Sequence, residues 1–259
     1  MVTLDHCAKN CWARIKTMPP GEEAVPRNVA APESDNPEIP ADLPTPRAVV
    51  FDWDNTLVDT WPVIHASFKT TLLAMGQEPW TLEQTKDRVS KSLRDAFPEL
   101  FGNRWEEARD IYYSAFEREH LQSLMPLDNA LGTLDHLQGR GKPMALVSNK
   151  TGRYLRREVD HLSWNGYFRS VVGAGDAPHD KPDPEALIMA LAPIGLSVGP
   201  DIWFVGDSRS DLELARNAGC TGILVHPDPD RAKTAFSDCL PRCQVANLDQ
   251  LTYVLETVG

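Results

Sequence analysis

Residues 48 to 57 read Ala-Val-Val-Phe-Asp-Trp-Asp-Asn-Thr-Leu, four apolar residues in a row followed by two carboxylates two positions apart. An apolar run without alternation predicts a strand covered on both faces, as in a parallel sheet packed between helices. Four further runs match it: Pro143 to Val147, Ser170 to Val172, Ile202 to Val205 and Thr221 to Val225. Helical patterns cover Asn129 to Gln138, Tyr154 to Leu162, Pro184 to Ile194, Asp211 to Ala218 and Leu248 to Leu255. Strands alternating with helices predict an α/β class fold, a doubly wound parallel sheet.

The alternation breaks once, after the first strand. Trp61, Ile64, Phe68 and Leu72 share one helical face, as do Trp105, Ala108, Tyr112, Ala115 and Phe116. A stretch this long without a strand signal is better read as an inserted subdomain than as a loop. The expected organisation is therefore a core of residues 47–60 and 127–259 and an α-helical cap of residues 61–126. Ligands of open parallel sheets bind beyond the carboxyl ends of the strands, so the cap is expected to stand over the site as a lid.

Upstream, residues 19 to 46 carry eight prolines among Glu, Asp and Ala, a composition that sustains neither helix nor ladder hydrogen bonds. Residues 1–46 are expected to be a disordered tail, with residues 3 to 18 able to form one short helix. The formal net charge of −11 argues against general binding to nucleic acid or to an anionic membrane surface. No apolar run is long enough for a membrane helix, and no signal-peptide pattern opens the sequence. Five cysteines, few and odd in number, fit a reduced cytoplasm. Cys7 with Cys11 and Cys239 with Cys243 have ligand-like spacing, but they lie at opposite ends of the chain and read as ordinary thiols. Nothing in the sequence fixes an oligomeric state.

The chemistry gathers at the predicted strand tips. Asp52 and Asp54, two apart on extended chain, point the same way into the crevice. The second strand ends in Ser148 and Asn149, and the loop after the third holds Lys181 between Asp180 and Pro182. The fourth ends in Gly206-Asp207-Ser208-Arg209-Ser210-Asp211, where an N-cap explains one residue but not the run. A calcium loop is excluded, because Leu57 and Val63 stand where it needs Gly and Glu. The stretch from Gly173 to Pro178 lacks the third Gly of a dinucleotide turn. An acidic pair, Ser-Asn, Lys and Gly-Asp-x-x-x-Asp, all at carboxyl ends of parallel strands, make one site.

With these motifs, residues 47 to 258 resemble the haloacid dehalogenase-like hydrolase superfamily, a Rossmann-like core, and within it the phosphoglycolate phosphatase-like branch with a helical cap. The resemblance implies a Mg2+-dependent phosphatase acting on a small phosphorylated metabolite through an aspartyl-phosphate. It casts Asp52 as nucleophile and Asp54 as general acid and then base, with Thr56 supporting the turn. Ser148 and Asn149 would hold phosphoryl oxygens, and Lys181 would neutralise the nucleophile and the transferring group. The metal would rest on the Asp52 and Asp207 carboxylates and the Asp54 backbone carbonyl, with Asp211 as partner of the metal or of Lys181. Where the family usually has Gly before the Thr, this chain has Asn55.

The chemistry is coherent in itself. Bare carboxylates repel a phosphoryl group unless a hard cation and a lysine offset them. A carboxylate nucleophile splits hydrolysis into two displacements, each served by an acid or base. Dehalogenation would not need Asp54. Phosphosugar mutase chemistry, phosphonate hydrolysis using Lys91, or a catalytically weak phosphate-binding protein recruiting a partner through the tail remain open alternatives. The cap segment Val89 to Phe97 lacks the Gly-rich pattern common in phosphoglycolate phosphatases, so the resemblance does not single out phosphoglycolate. Lys91 and Arg94 in that segment are the expected substrate-binding cations.

Overall fold

The computed structural model describes residues 36–89, 93–228, 234 and 236–259, the side chains of Arg94 and Asp95 excepted. In chain order the core strands are β1 (Ala48–Phe51), β4 (Met144–Thr151), β5 (Phe168–Ala174), β6 (Ile202–Gly206), β7 (Thr221–Val225) and β8 (Cys243–Val245). Two short strands, β2 (Val58–Asp59) and β3 (Met125–Pro126), pair antiparallel outside that sheet. The six core strands run parallel in the order β5-β4-β1-β6-β7-β8, as the doubly wound reading requires.

The apolar run of β1 explains its central place. Val49 and Phe51 face one cluster, and Ala48 and Val50 face the other, all fully buried. On the first face the sheet packs against α5 (Ala130–Gly139), α6 (Gly152–His161) and α9 (Leu248–Val258), through Leu134, Leu155 and Leu251 among others. On the second it packs against α7 (Glu185–Leu191) and α8 (Arg209–Ala218), through Leu187 and Leu214. Strand order reverses at β1, which opens a crevice at its carboxyl end between β4 and β6.

Between β2 and β3 the described residues form four α-helices: α1 (Trp61–Ala74), α2 (Leu82–Arg88), α3 (Leu93–Phe101) and α4 (Trp105–Glu119). They bury an aromatic cluster of their own, in which Phe68 meets Tyr112 at 5.0 Å and Trp80 at 5.4 Å between ring centroids. Tyr154 of α6 joins it from the core side. A capping box between Thr81 and Gln84 starts α2. No helix among the described residues is long and apolar enough to cross a membrane.

The structure departs from the sequence reading in four places, the first being the short β2–β3 pair, which flanks a stretch without a strand signal. Strand β4 continues through Ser148, Asn149 and Lys150 to Thr151, so the polar tip is still sheet. Strand β8 adds an edge that was not expected. Residues 36–46, assigned to the tail, lie against the core instead. Leu43 is buried in the first-face cluster, Trp203 Nε1 donates to the Pro44 carbonyl at 2.9 Å, and Thr45 Oγ1 donates to Val258 O. Prolines forbid a helix here but leave carbonyls free to accept from the core. Residues 1–35, with Cys7, Cys11 and the short-helix segment, lie outside the described residues. Cys239 and Cys243 are buried free thiols.

Candidate active site

At the tip of β1 the sheet hydrogen bonding continues for one residue, Asp52 N donating to Val205 O at 2.8 Å, and this holds Asp52 almost fully buried. The chain then curls around the Trp53 carbonyl, which accepts from Leu57 N at 3.0 Å and Val58 N at 3.3 Å. The turn needs a left-handed residue, and Asn55 supplies it with φ 60° while its Oδ1 accepts from Thr60 N at 3.3 Å. Asparagine is among the side chains that tolerate this conformation, which is why it stands here in place of glycine.

Lys181 reaches the same point from the loop after β5. Its Nζ donates to Asp52 Oδ1 at 2.6 Å and to Asp211 Oδ1 at 2.7 Å, with the side chain 3% exposed. The other Asp211 oxygen closes the capping box that starts α8, accepting from Ser208 N at 2.9 Å and Ser208 Oγ at 2.6 Å. Gly206 permits this approach, since a Cβ there would lie 2.3 Å from Asp211 Cγ. Thr56, fully buried, points its Oγ1 at Asp207 Oδ1 at 3.5 Å.

Burial pushes the Asp52 carboxyl up to about 7; Lys181 pulls against this, while Asp211 and Asp54 add to it. Burial, with Asp211 and Asp52, also holds Asp207 well above the usual carboxylate range. Burial works against the Lys181 charge, yet Asp211 and Asp52 outweigh it and raise the ammonium above its ordinary value. Asp52, Asp207 and Asp211 bring one oxygen each within 4.8 Å of one another. Three carboxylates against one ammonium leave surplus negative charge and a hard oxygen donor set, which fits a divalent metal site. Asp211 has spent both oxygens, and Asp52 and Asp207 are the members that line the cleft.

The β4 tip does two things. The Ser148 side chain lines the cleft and accepts from Lys150 N at 3.2 Å. Asn149, expected to bind phosphoryl oxygens, uses its amide to clasp the Lys181 backbone: Nδ2 donates to Lys181 O at 3.2 Å, and Oδ1 accepts from Lys181 N at 2.9 Å. Asp54 stands apart from the carboxylate trio and pairs with Lys150, Nζ to Oδ1 at 2.7 Å.

Lys150 was not singled out from the sequence, nor were the groups behind it. Its Nζ also meets Glu158 Oε2 at 2.5 Å. Glu158, fully buried on α6, accepts from Trp53 Nε1 at 2.7 Å, and its Oε1 lies 2.9 Å from His120 Nδ1. Burial works against the Glu158 charge, but Lys150, His120 and Trp53 together hold the carboxyl below its usual value.

Asp52, Asp54, Ser148, Lys150, Lys181 and Asp207 border a cleft of about 150 Å3 between core and cap. The described cap wall is apolar, with Trp61, Ile64, Tyr113 and Phe116 in it, and Tyr113 Oη meets Thr151 Oγ1 of the core at 2.9 Å. Lys91 lies outside the described residues. Arg94 falls in α3, but its side chain is not described. The gathering of Asp52, Thr56, Ser148, Asn149, Lys181, Asp207 and Asp211 at one crevice can attack, hold and neutralise a phosphoryl group.

Residues 49–225 match the family described as haloacid dehalogenase-like hydrolase. A phosphoglycolate phosphatase of Pseudomonas fluorescens is 32% identical over 184 residues, 67% of each chain. Phosphoglycolate phosphatase 1 of Pseudomonas aeruginosa is 31% identical over 185 residues, again 67% of each. Among solved structures, a hydrolase of this superfamily from Ehrlichia chaffeensis is similar at 31% identity and TM-score 0.58, covering 83% of this chain and 98% of its own. A haloacid dehalogenase-like hydrolase from Bacteroides fragilis shares the fold at TM-score 0.73 and 24% identity, covering 80% and 99%.

Proposed function

This chain belongs to the haloacid dehalogenase-like hydrolases and is a phosphoric monoester hydrolase, and on that premise we propose that it hydrolyses a small phosphorylated metabolite, of phosphoglycolate type, through an aspartyl-phosphate on Asp52. The observation that carries the reading is the buried Asp52 carboxylate, fixed by Lys181 at 2.6 Å and lining a cleft under a helical cap. The Asp52 and Asp207 carboxylates, with the Asp54 backbone carbonyl, would hold Mg2+. When bound, the ion offsets the negative charge of the carboxylates and the phosphoryl group.

Asp52 attacks phosphorus while Asp54, two residues on, gives a proton to the leaving alkoxide. Asp54 then takes a proton from the water that cleaves the acyl-phosphate. Lys181 stays charged beside Asp52 and faces the equatorial oxygens, and Ser148 donates to one of them. Asn149 serves chiefly by fixing the Lys181 backbone. Thr56 and Asn55 hold the turn that aims Asp52 and Asp54 together, and Asp211 holds Lys181. The apolar cap wall excludes water, and Lys91 and Arg94 select the leaving group. The organisation we propose is the core and a cap of residues 61–126, working in a reducing cytoplasm that suits free thiols at Cys220, Cys239 and Cys243.

The test is hydrolysis by purified protein, with Mg2+ and with chelator, of phosphoglycolate, sugar phosphates, nucleotides, pyrophosphate and a phosphonate. The reading expects metal-dependent release of phosphate from small monoesters. Full turnover in chelator, or turnover only on the phosphonate, would overturn it.

A further inference from the structure

Four side chains not used by the mechanism above form a buried chain from the cap to Asp54. His120 closes the end of α4, with its ring fully buried and Nδ1 on Glu158. Glu158 also takes the indole N–H of Trp53, the residue between the two catalytic-loop aspartates. Its Oε2 grips Lys150 at 2.5 Å, and Lys150 reaches forward to Asp54 at 2.7 Å. Of these only Lys150 lines the cleft. The Phe116 ring of α4 lies 5.4 Å from Lys150 Nζ, so the cap also covers the ammonium.

Stability does not require such an arrangement, since well-packed apolar residues commonly serve as well as a buried ion pair. A lysine has a long flexible stem, and a single carboxylate at its end would leave it mobile. Two carboxylates held at once remove that freedom. The rear one is itself pinned from two directions, by the β1 loop and by the cap. We propose that Lys150 is a positioning residue for Asp54: anchored from behind by Glu158, it fixes the Asp54 carboxylate at the leaving-group side of the cleft, and His120 ties that anchor to the cap. This rests on the reading of Asp54 as the acid that protonates the leaving group. In that step the proton passes from Asp54 to the ester oxygen as its bond to phosphorus breaks and the Asp52 oxygen bonds to phosphorus. Lys150 exchanges no proton.

Because Lys150 borders the cleft, its other possible task is direct contact with the phosphoryl group, and the two tasks give different kinetics. The experiment measures kcat/KM of Asp54→Asn, Lys150→Met, Glu158→Gln and the Asp54→Asn/Lys150→Met double variant on an alkyl phosphate and on para-nitrophenyl phosphate, whose leaving group needs no acid. Asp54→Asn should cost roughly 10²-fold on the alkyl ester and far less on the aryl ester. Lys150→Met should show the same selectivity at about tenfold, Glu158→Gln at a few fold, and the double variant should be no worse than Asp54→Asn within about threefold.

Equal losses on both esters for Lys150→Met, or losses that multiply in the double variant, would overturn the proposal while leaving the acid reading intact. An Asp54→Asn variant without leaving-group selectivity would overturn the acid reading, and the proposal with it. Should Lys150→Met fail to fold with Glu158 left unpaired, Lys150→Met/Glu158→Gln carries no stranded carboxylate and answers the same question.

Discussion

Gly206→Ala places one methyl group where the structure has no room for it. No left-handed φ is required at Gly206, so the backbone accepts alanine, and the conflict is purely one of space. The added carbon would lie 2.3 Å from Asp211 Cγ, 2.4 Å from Oδ2 and 2.5 Å from Cβ. Ordinary contact is about 3.5 to 4.0 Å, so the carboxylate must retreat by about 1 Å or more. It is held by Lys181 Nζ at 2.7 Å and by Ser208 N and Oγ at 2.9 and 2.6 Å, and these cannot all follow. Overpacking costs about 1 to 3 kcal/mol, and each hydrogen bond to a charged group about 1.5 to 3 kcal/mol. Loss of about 3 kcal/mol corresponds to a fall in Tm of roughly 6 to 12 °C for a chain of this size. Lys181 also loses its second anchor beside Asp52, and a misplacement of about 1 Å near the chemistry costs on the order of 10²-fold in kcat. The assay pairs thermal melting with turnover of an aryl phosphate. Gly222→Ala on the next strand is the control, since its Cβ would meet Ala215 Cβ at 3.2 Å and Leu212 Cδ2 at 3.4 Å, side chains that do not line the cleft; it should lower Tm less and leave kcat unchanged. Wild-type Tm and kcat in Gly206→Ala would refute the reasoning.

A chain starting at residue 47 should melt several degrees below one starting at residue 36. It loses the burial of Leu43 and the Trp203 bond, together about 3 kcal/mol; equal melting temperatures would show that the segment adds nothing. Burial pushes the Cys243 thiol up to about 11, and its Sγ faces the Glu38 carbonyl, so thiol reagents should modify it slowly near pH 8, and faster in the shorter chain. Asn55→Gly should keep wild-type turnover, whereas Asn55→Val should lose stability by about 1 to 3 kcal/mol in denaturant titration, because a β-branched residue resists φ 60°. Glu158 has its carboxyl held below the ordinary value in the folded state, so its stabilisation is present above the unfolded pKa and lost as pH falls through the folded one. Acid titration of stability should be steeper for wild type than for Glu158→Gln below about pH 4.5.

The sequence exposed those parts of the fold and site that are written in contiguous residues. Ala48 to Phe51 carries its double-sided burial in four letters, and Asp52 and Asp54 announce the site by sitting at its end. Strand β8 was hidden because Cys243-Gln244-Val245 is too short to show an apolar run or a clear alternation. The polar end of β4 read as loop because Ser148 to Thr151 turn toward the cleft, where a strand has no need of apolar residues. Leu43 is a lone apolar side chain among prolines, and the Pro44 carbonyl that holds Trp203 has no side-chain signature at all. Trp53 and His120 lie far in sequence from Lys150 and Glu158, each is unremarkable alone, and only the fold brings the four together. Asn55 read as a departure from the family pattern until its backbone conformation explained it.

The central claim is that Asp52 carries the phosphoryl group. The direct measurement uses Asp54→Asn with para-nitrophenyl phosphate in Mg2+, a pairing in which formation of the intermediate needs no acid and its hydrolysis lacks a base. Acid quench and treatment with hydroxylamine should convert an acyl-phosphate into a hydroxamate, located by peptide mass spectrometry at Asp52. The same treatment of Asp52→Asn should give none. A hydroxamate at another residue, or turnover of the ester with no covalent phosphoryl group on Asp52, would contradict the account.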